Sequence, residues 1–294
     1  MSDQAEALRE LVRARPGTVD ARAGARSILF TSGKGGVGTS NLALNLAIAL
    51  GDYGQRVVLV DADFGLANLD LLCGISPSCD LGDVLVDGGR PLADAVVTGP
   101  NDVRIVAGAH GMRNLADSLD AGTDRIALEL EALESECDFL FIDAGSGLGT
   151  SIAKLAAAAE QVVLVTTPEP TSVADAHAAL GRFRRGSETP RLRAVVTQAA
   201  SAAEGKDCLT RLCATSRQFL GLVVTPLGSV RFDPAVRQAV RHRRPFVCES
   251  PHGPAARGVR RLARTLIEER QPRVGRPGFF STLAARWSLG KVAR

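Results

Sequence analysis

Seven short apolar runs recur along the chain, each rich in β-branched residues and unrelieved by alternating polar positions: SILFT (27–31), RVVLVDA (56–62), VRIVA (103–107), FLFIDA (139–144), QVVLVTT (161–167), RAVVT (193–197) and GLVVTPL (221–227). Strands that read this way are buried on both faces, as in parallel sheets covered by helices. Between them lie stretches of helical periodicity at 39–52, 123–136, 149–159, 171–184, 206–219 and 253–269. The alternation of strand and helix predicts an α/β fold with a doubly wound, mostly parallel sheet. Residues 1–25 and 271–294 fall outside it, with RPGTVDARAGAR and RQPRVGRPG reading as linkers. The expected organisation is an N-terminal helix and linker (1–25), a central domain (26–270), and a second linker with an amphipathic helix (271–294).

Composition narrows the class. A chain of 294 residues with 45% hydrophobic and 23% charged residues suits one large core. No run of about 18 apolar residues is present to span a bilayer. Asp3, Glu6 and Glu10 with no apolar h-region argue against a secretory signal, so a cytoplasmic chain is expected. Six cysteines stand apart with no C-x-x-C pair, which fits reduced thiols rather than a zinc or iron–sulfur site. The net charge of +3 is unevenly placed: from Arg237 to Arg294 there are 14 Lys/Arg against 3 Glu, which points to an anionic partner, membrane or nucleic acid.

The richest stretch is FTSGKGGVGTSN, residues 30–41, which follows the first strand and opens a helix. Gly33, Gly35, Gly36 and Gly38 allow the backbone to form a nest of N–H donors around phosphate oxygens, and the helix N-terminus adds its positive end. Ser40 supplies a hydroxyl suited to Mg²⁺, and Thr39 stands where such a loop ordinarily carries a lysine. Two further strands end in carboxylates: Asp61 and Asp63 in DADFGLANLD, and Asp143 before AGSGLG. Acidic groups at the C-terminal tips of parallel strands, beside a phosphate loop, are placed to organise magnesium and an attacking water.

Both tails carry amphipathic patterns. Ala5, Leu8 and Val12 share a helical face, with Asp3 and Glu6 in a capping-box arrangement. At the other end Phe280, Leu283, Ala284 and Trp287 recur at i, i+3, i+4 and i+7, after Pro277 and Gly278 and before Gly290. Large apolar residues with basic flanks read as an interfacial membrane helix. Two Phe, a Leu and a Trp would contribute about 1.5–3 kcal/mol each on burial, and neighbouring arginines about 1 kcal/mol each at an anionic surface.

SGKGGVGTS, VVLVDADFGLANLDLLCG, DFLFIDAGSGLG and VVLVTTPEPTSVADAHA together resemble the MinD/ParA group of deviant Walker A ATPases, and within it the flagellar-number regulators of the FlhG (FleN) type. The likeness runs in order from about Asp3 to Phe246. It implies a P-loop NTPase of the SIMIBI type with ATP and Mg²⁺ as cofactors. Such a protein dimerises on ATP, attaches reversibly to the cytoplasmic face of the inner membrane, and regulates flagellar number or placement. By the same resemblance Gly33, Lys34, Gly35, Gly36, Val37, Gly38, Thr39 and Ser40 hold the nucleotide. Lys34 reaches the partner's phosphates across the dimer, Asp63 orients the hydrolytic water, and Ser40, Asp61 and Asp143 hold or support the metal. PEPTSVADA would sit near the dimer face. Asp3, Gln4, Ala5, Leu8 and Arg9 match a motif that docks on and stimulates an FlhF-like GTPase of the signal-recognition type, with Gln4 at its heart. Phe279, Phe280, Leu283 and Trp287 match a membrane-targeting tail.

The chain departs from the pattern at three nucleotide positions. Thr39 replaces the second loop lysine, Thr197 an adenine-reading asparagine, and Arg231, in GSVRFD, a proline. Loss of the charge at 39 is expected to weaken binding by about 2–3 kcal/mol and to slow hydrolysis. Two other functions fit the same core: a nucleotide-binding scaffold with little hydrolysis, and a partition ATPase of the ParA type. The latter would set Arg241, Arg243, Arg244, Arg257, Arg260, Arg261 and Arg264 against DNA, with binding that falls steeply with salt.

Overall fold

The computed structural model describes residues 25–63, 67–86, 89–109, 124–147, 149–183, 190–269 and 277–292, the side chains of 124, 125 and 286–292 excepted. Eight strands form one sheet in the order β3-β4-β2-β5-β1-β6-β7-β8. They are β1 (Arg26–Ser32), β2 (Val57–Asp61), β3 (Val96–Thr98), β4 (Arg104–Val106), β5 (Phe139–Ser146), β6 (Gln161–Thr166), β7 (Arg191–Ala199) and β8 (Val224–Arg231). Every neighbouring pair is parallel except β3 with β4. β1, β2 and β6 are buried along their whole length, which is why they read as continuous apolar runs.

Strand alternation divides the core in two. Ile28, Phe30, Leu59, Phe139 and Phe141 pack on one side against helices α1 (Thr39–Gly51) and α10 (Pro254–Glu268). Leu29, Val58, Val60, Leu140 and Ile142 pack on the other. There they meet α4 (Asp124–Ser135), α5 (Thr150–Ala158), α6 (Pro170–Phe183), α7 (Ala202–Thr215) and the C-terminal helix α11 (Phe279–Val292). Four short helices lie between these elements: α2 (Leu69–Cys73), α3 (Leu81–Val84), α8 (Pro234–Arg241) and α9 (Phe246–Glu249). The chain leaves β1 toward β2 on one side, and β6 lies on the other, so β1 marks the point where winding reverses. Ligands of open α/β sheets bind at the C-terminal strand ends there.

The structure departs from the sequence pattern at the edges. β3 is a three-residue antiparallel strand, only half buried, too short for its periodicity to register. β8 begins at Val224 and continues to Arg231, several residues beyond the run expected at 221–227. α8 was not anticipated, although Asp233 caps it by accepting from the Ala235 N–H at 3.0 Å and Pro234 occupies its first turn.

Candidate nucleotide site

The glycine-rich loop lies at the C-terminal end of β1 and feeds α1. Gly36 (φ +80°) and Gly38 (φ +89°) occupy the left-handed region that favours glycine. Gly33 is required for a different reason: a Cβ there would lie 2.1 Å from the Asp175 carbonyl oxygen of α6. Gly38 caps α1 without a side-chain acceptor, leaving the first amides of a 13-residue helix directed at the loop's interior. Two loop carbonyls are tied outward to β7: the Thr197 hydroxyl donates to Val37 O at 2.6 Å, and Gln198 Nε2 donates to Gly36 O at 3.2 Å. Because a trans peptide sets N–H opposite C=O, these bonds turn the following amides toward the anion position. Gln198 has a left-handed backbone (φ +56°), and its part in shaping the loop had no counterpart in the sequence reading.

Asp61 and Asp143 are register neighbours at the ends of β2 and β5. Asp61 is held by three amides: Asp63 N–H at 3.1 Å, Asn68 N–H at 3.0 Å and Leu69 N–H at 3.2 Å. Asp143 is wholly buried and accepts from Gly145 N–H at 3.1 Å through Oδ1. Its Oδ2 is buried with no hydrogen-bond partner. Burial pushes Asp61 up to about 6, its amide partners opposing the shift. Burial, and then the Asp61 charge, push Asp143 up to about 7, with Ser40 acting the other way. A cation at this point would satisfy the orphaned oxygen and relieve the repulsion. Among the described residues no three His, Cys, Asp or Glu side chains form a metal cage. Two carboxylates beside the Ser40 hydroxyl suit Mg²⁺, which takes one or two carboxylates and fills its shell with hydroxyl, phosphate and water. Ser40, Asp61 and Asp143 would hold it, and it would supply charge to neutralise phosphate.

Asp63 closes over the same point. A Cβ on Gly145 (φ +62°) would fall 2.0 Å from Asp63 Oδ2, so only glycine leaves this carboxylate its place. Gly145→Ala is therefore expected to displace Asp63 and to lower ATP turnover at least tenfold, measured as phosphate release. The thermal melt separates this loss from unfolding.

Lys34 is held within its own chain. Its Nζ donates to Glu169 Oε2 at 3.0 Å and Thr171 Oγ1 at 3.3 Å, both from the PEPTSVADA motif. Exposed pairs of this kind are worth about 0–1 kcal/mol, so the lysine exchanges partners readily. Val37 and Thr39 are buried, Arg231 is exposed on β8, and Thr197 is buried beneath the loop.

Beyond the loop a cavity of about 440 Å³ extends from Gly36, Val37 and Gly38 past Thr197 and Gln198 to Arg231 and α8, a volume that accommodates a base and ribose.

At the far end of the chain, α11 packs on α4 and α5 with Phe279, Phe280 and Leu283 buried and Ala284 outward. Buried Glu134 caps it, accepting from Phe279 N–H at 2.7 Å and Phe280 N–H at 3.2 Å. The Trp287 side chain, and Asp3, Gln4, Ala5, Leu8 and Arg9, lie outside the described residues.

Residues 25–187 match the protein family described as AAA_31, AAA domain. The antiactivator FleN of Pseudomonas aeruginosa is 35% identical over 80% of this chain and 84% of its own length. The chain belongs to the MinD/ParA-type P-loop ATPases. The flagellum site-determining protein YlxH of Helicobacter pylori is 27% identical, with 96% of this chain and 98% of that protein covered. Among solved structures, the septum site-determining protein MinD of Pyrococcus horikoshii, complexed with Mg-ADP, superposes with a TM-score of 0.63 at 25% identity over 81% of this chain and 94% of that one. The parallel sheet, central β1 and loop at its C-terminal end are those of the family's fold.

Proposed function

We propose that this protein is a nucleotide-switched ATPase that binds Mg·ATP, dimerises around it, and exposes α11 to an anionic membrane at the cytoplasmic face of the inner membrane. Through that cycle it regulates flagellar number or placement, in keeping with its likeness to FleN and YlxH. The reading rests chiefly on the convergence of the uncapped α1 N-terminus with the buried Asp61–Asp143 pair and its orphaned oxygen.

In this cycle the loop amides hold the β- and γ-phosphates. Ser40, Asp61 and Asp143 would hold Mg²⁺, which would supply positive charge beside the phosphates. Asp63 orients the attacking water. Lys34 leaves Glu169 for the phosphates of the second protomer, which couples dimerisation to nucleotide. Thr39 donates at most a neutral hydrogen bond where a lysine would give a charged one, so turnover is slow. A scaffold with little hydrolysis is the second reading, favoured by that same residue. Calorimetry with Mg·ATP alongside phosphate release separates the two: the ATPase reading requires saturable binding and a turnover lost in Asp63→Ala, and the scaffold reading requires binding alone.

The N-terminal segment is assigned to a partner GTPase of the signal-recognition type. A synthetic peptide of residues 1–15 is expected to stimulate that GTPase in trans, and the Gln4→Ala peptide to be inactive. Full stimulation by a chain lacking these residues would remove the assignment.

A further inference from the structure

The two most exposed large apolar side chains among the described residues are close in sequence: Phe219 is 69% exposed and Val223 66%. Between them Gly221, in the left-handed region (φ +66°), turns the chain out of the π-helical turn Ser216–Leu220 toward β8. That turn is tied down. Leu222 N–H donates to Ser216 O at 3.2 Å, Ser216 Oγ donates to Leu212 O at 2.6 Å, and Leu220 packs on the core. The exposed apolar pair is therefore built into the fold. The adjoining elements carry exposed Arg191 (β7), Arg211 (α7) and Arg217 (the turn), and none of the three has a carboxylate partner among the described residues.

Strand register places this patch. Val224 pairs with Leu192, and Gln161 pairs with both Arg191 and Ile28. Val223, Arg191 and Ile28 thus continue one row across the sheet, at the edge opposite the nucleotide site, and the chain enters β1 at that same edge through buried Ala25. In the strand order β1-β6-β7-β8 the patch is three strand spacings from β1, about 14 Å. Residues 1–24 lie outside the described residues. A tether made of 13–24 spans up to about 40 Å when extended, so residues 1–12 reach the patch.

The chemistry of residues 1–12 matches what the patch offers. Ala5, Leu8 and Val12 share a helical face, and Asp3, Glu6 and Glu10 outnumber Arg9, whereas the patch is apolar and flanked by unpaired arginines. A tether this short holds the segment at about millimolar effective concentration, so a weak contact is enough. We infer that residues 1–12 dock as an amphipathic helix on the Phe219–Val223 patch of the same chain. A partner that takes this segment must first displace it, so the patch holds in reserve the motif assigned to a GTPase. The docking itself depends neither on that assignment nor on nucleotide.

The test is amide hydrogen exchange on the full chain without nucleotide, read at residues 5–12 and 217–223. Residues 5–12 are expected to exchange at least about fivefold more slowly than in a synthetic peptide of residues 1–15. In Phe219→Asp/Val223→Asp they should exchange at the peptide's rate, with the melting curve confirming the fold. Leu8→Asp should speed exchange at 217–223, since it removes the cover from the other side. Peptide-like exchange of residues 5–12 in the unaltered chain, or protection that survives Phe219→Asp/Val223→Asp, overturns the inference. So does protection that deepens as protein concentration rises, because a second copy would then be covering the patch.

Discussion

Thr39→Lys tightens Mg·ATP binding by about 30- to 150-fold and raises turnover. The estimate is the free energy of one charge-assisted hydrogen bond to phosphate, about 2–3 kcal/mol, at 1.4 kcal/mol per decade. Thr39 is the first residue of α1, next to Ser40 and at the mouth of the amide nest, and it is buried. A lysine leaving the helix at that turn extends over the anion position, where its ammonium adds to the helix's positive end. Charge accumulates on the phosphate oxygens as the terminal group departs, so the added cation lowers the barrier as well as the ground state. Calorimetry and phosphate release read the two effects separately. No change in either would mean that the loop does not hold phosphates in this way.

The second large effect is on membrane attachment. Mg·ATP is expected to raise the affinity of the full chain for anionic liposomes at least about a hundredfold, the usual gain when two linked sites engage one surface. Phe279, Phe280 and Leu283, three of the residues assigned to the membrane, are buried against α4 and α5. Their burial, together with the Glu134 cap, opposes release. Nucleotide shifts that equilibrium only by binding the released form more tightly. Trp287→Glu abolishes attachment without altering the melting of the core. Because Trp287 is the chain's one tryptophan, its fluorescence reports insertion directly. Attachment indifferent both to nucleotide and to Trp287→Glu would end the switch reading, and salt-sensitive binding to duplex DNA would favour the partition reading instead.

The central strands and the phosphate loop were readable because burial on both faces leaves an uninterrupted apolar signature, and because glycines and carboxylates fall at strand ends. Asp61 and Asp143 are 82 residues apart, yet both could be placed, since parallel strands bring their C-terminal tips to one edge. What escaped the sequence lies in contacts that no local pattern encodes. Glu134 meets Phe279 across 145 residues, with no spacing rule to join a glutamate on one helix to the start of another. Lys34 was assigned a partner in another protomer, and its Glu169 contact depends on how α6 is laid over the loop. Gln198 takes a left-handed conformation unusual for its residue type, imposed where β7 turns toward the loop. β3 failed to register because three half-buried residues carry too little periodicity.

Sedimentation velocity of the full chain across a titration of Mg·ATP joins nucleotide to dimerisation in one observable. A nucleotide switch requires a monomer-to-dimer shift that saturates with ATP, needs Mg²⁺, and is absent in Lys34→Ala. A chain that remains monomeric at every Mg·ATP concentration, while calorimetry shows the site filled, is incompatible with it.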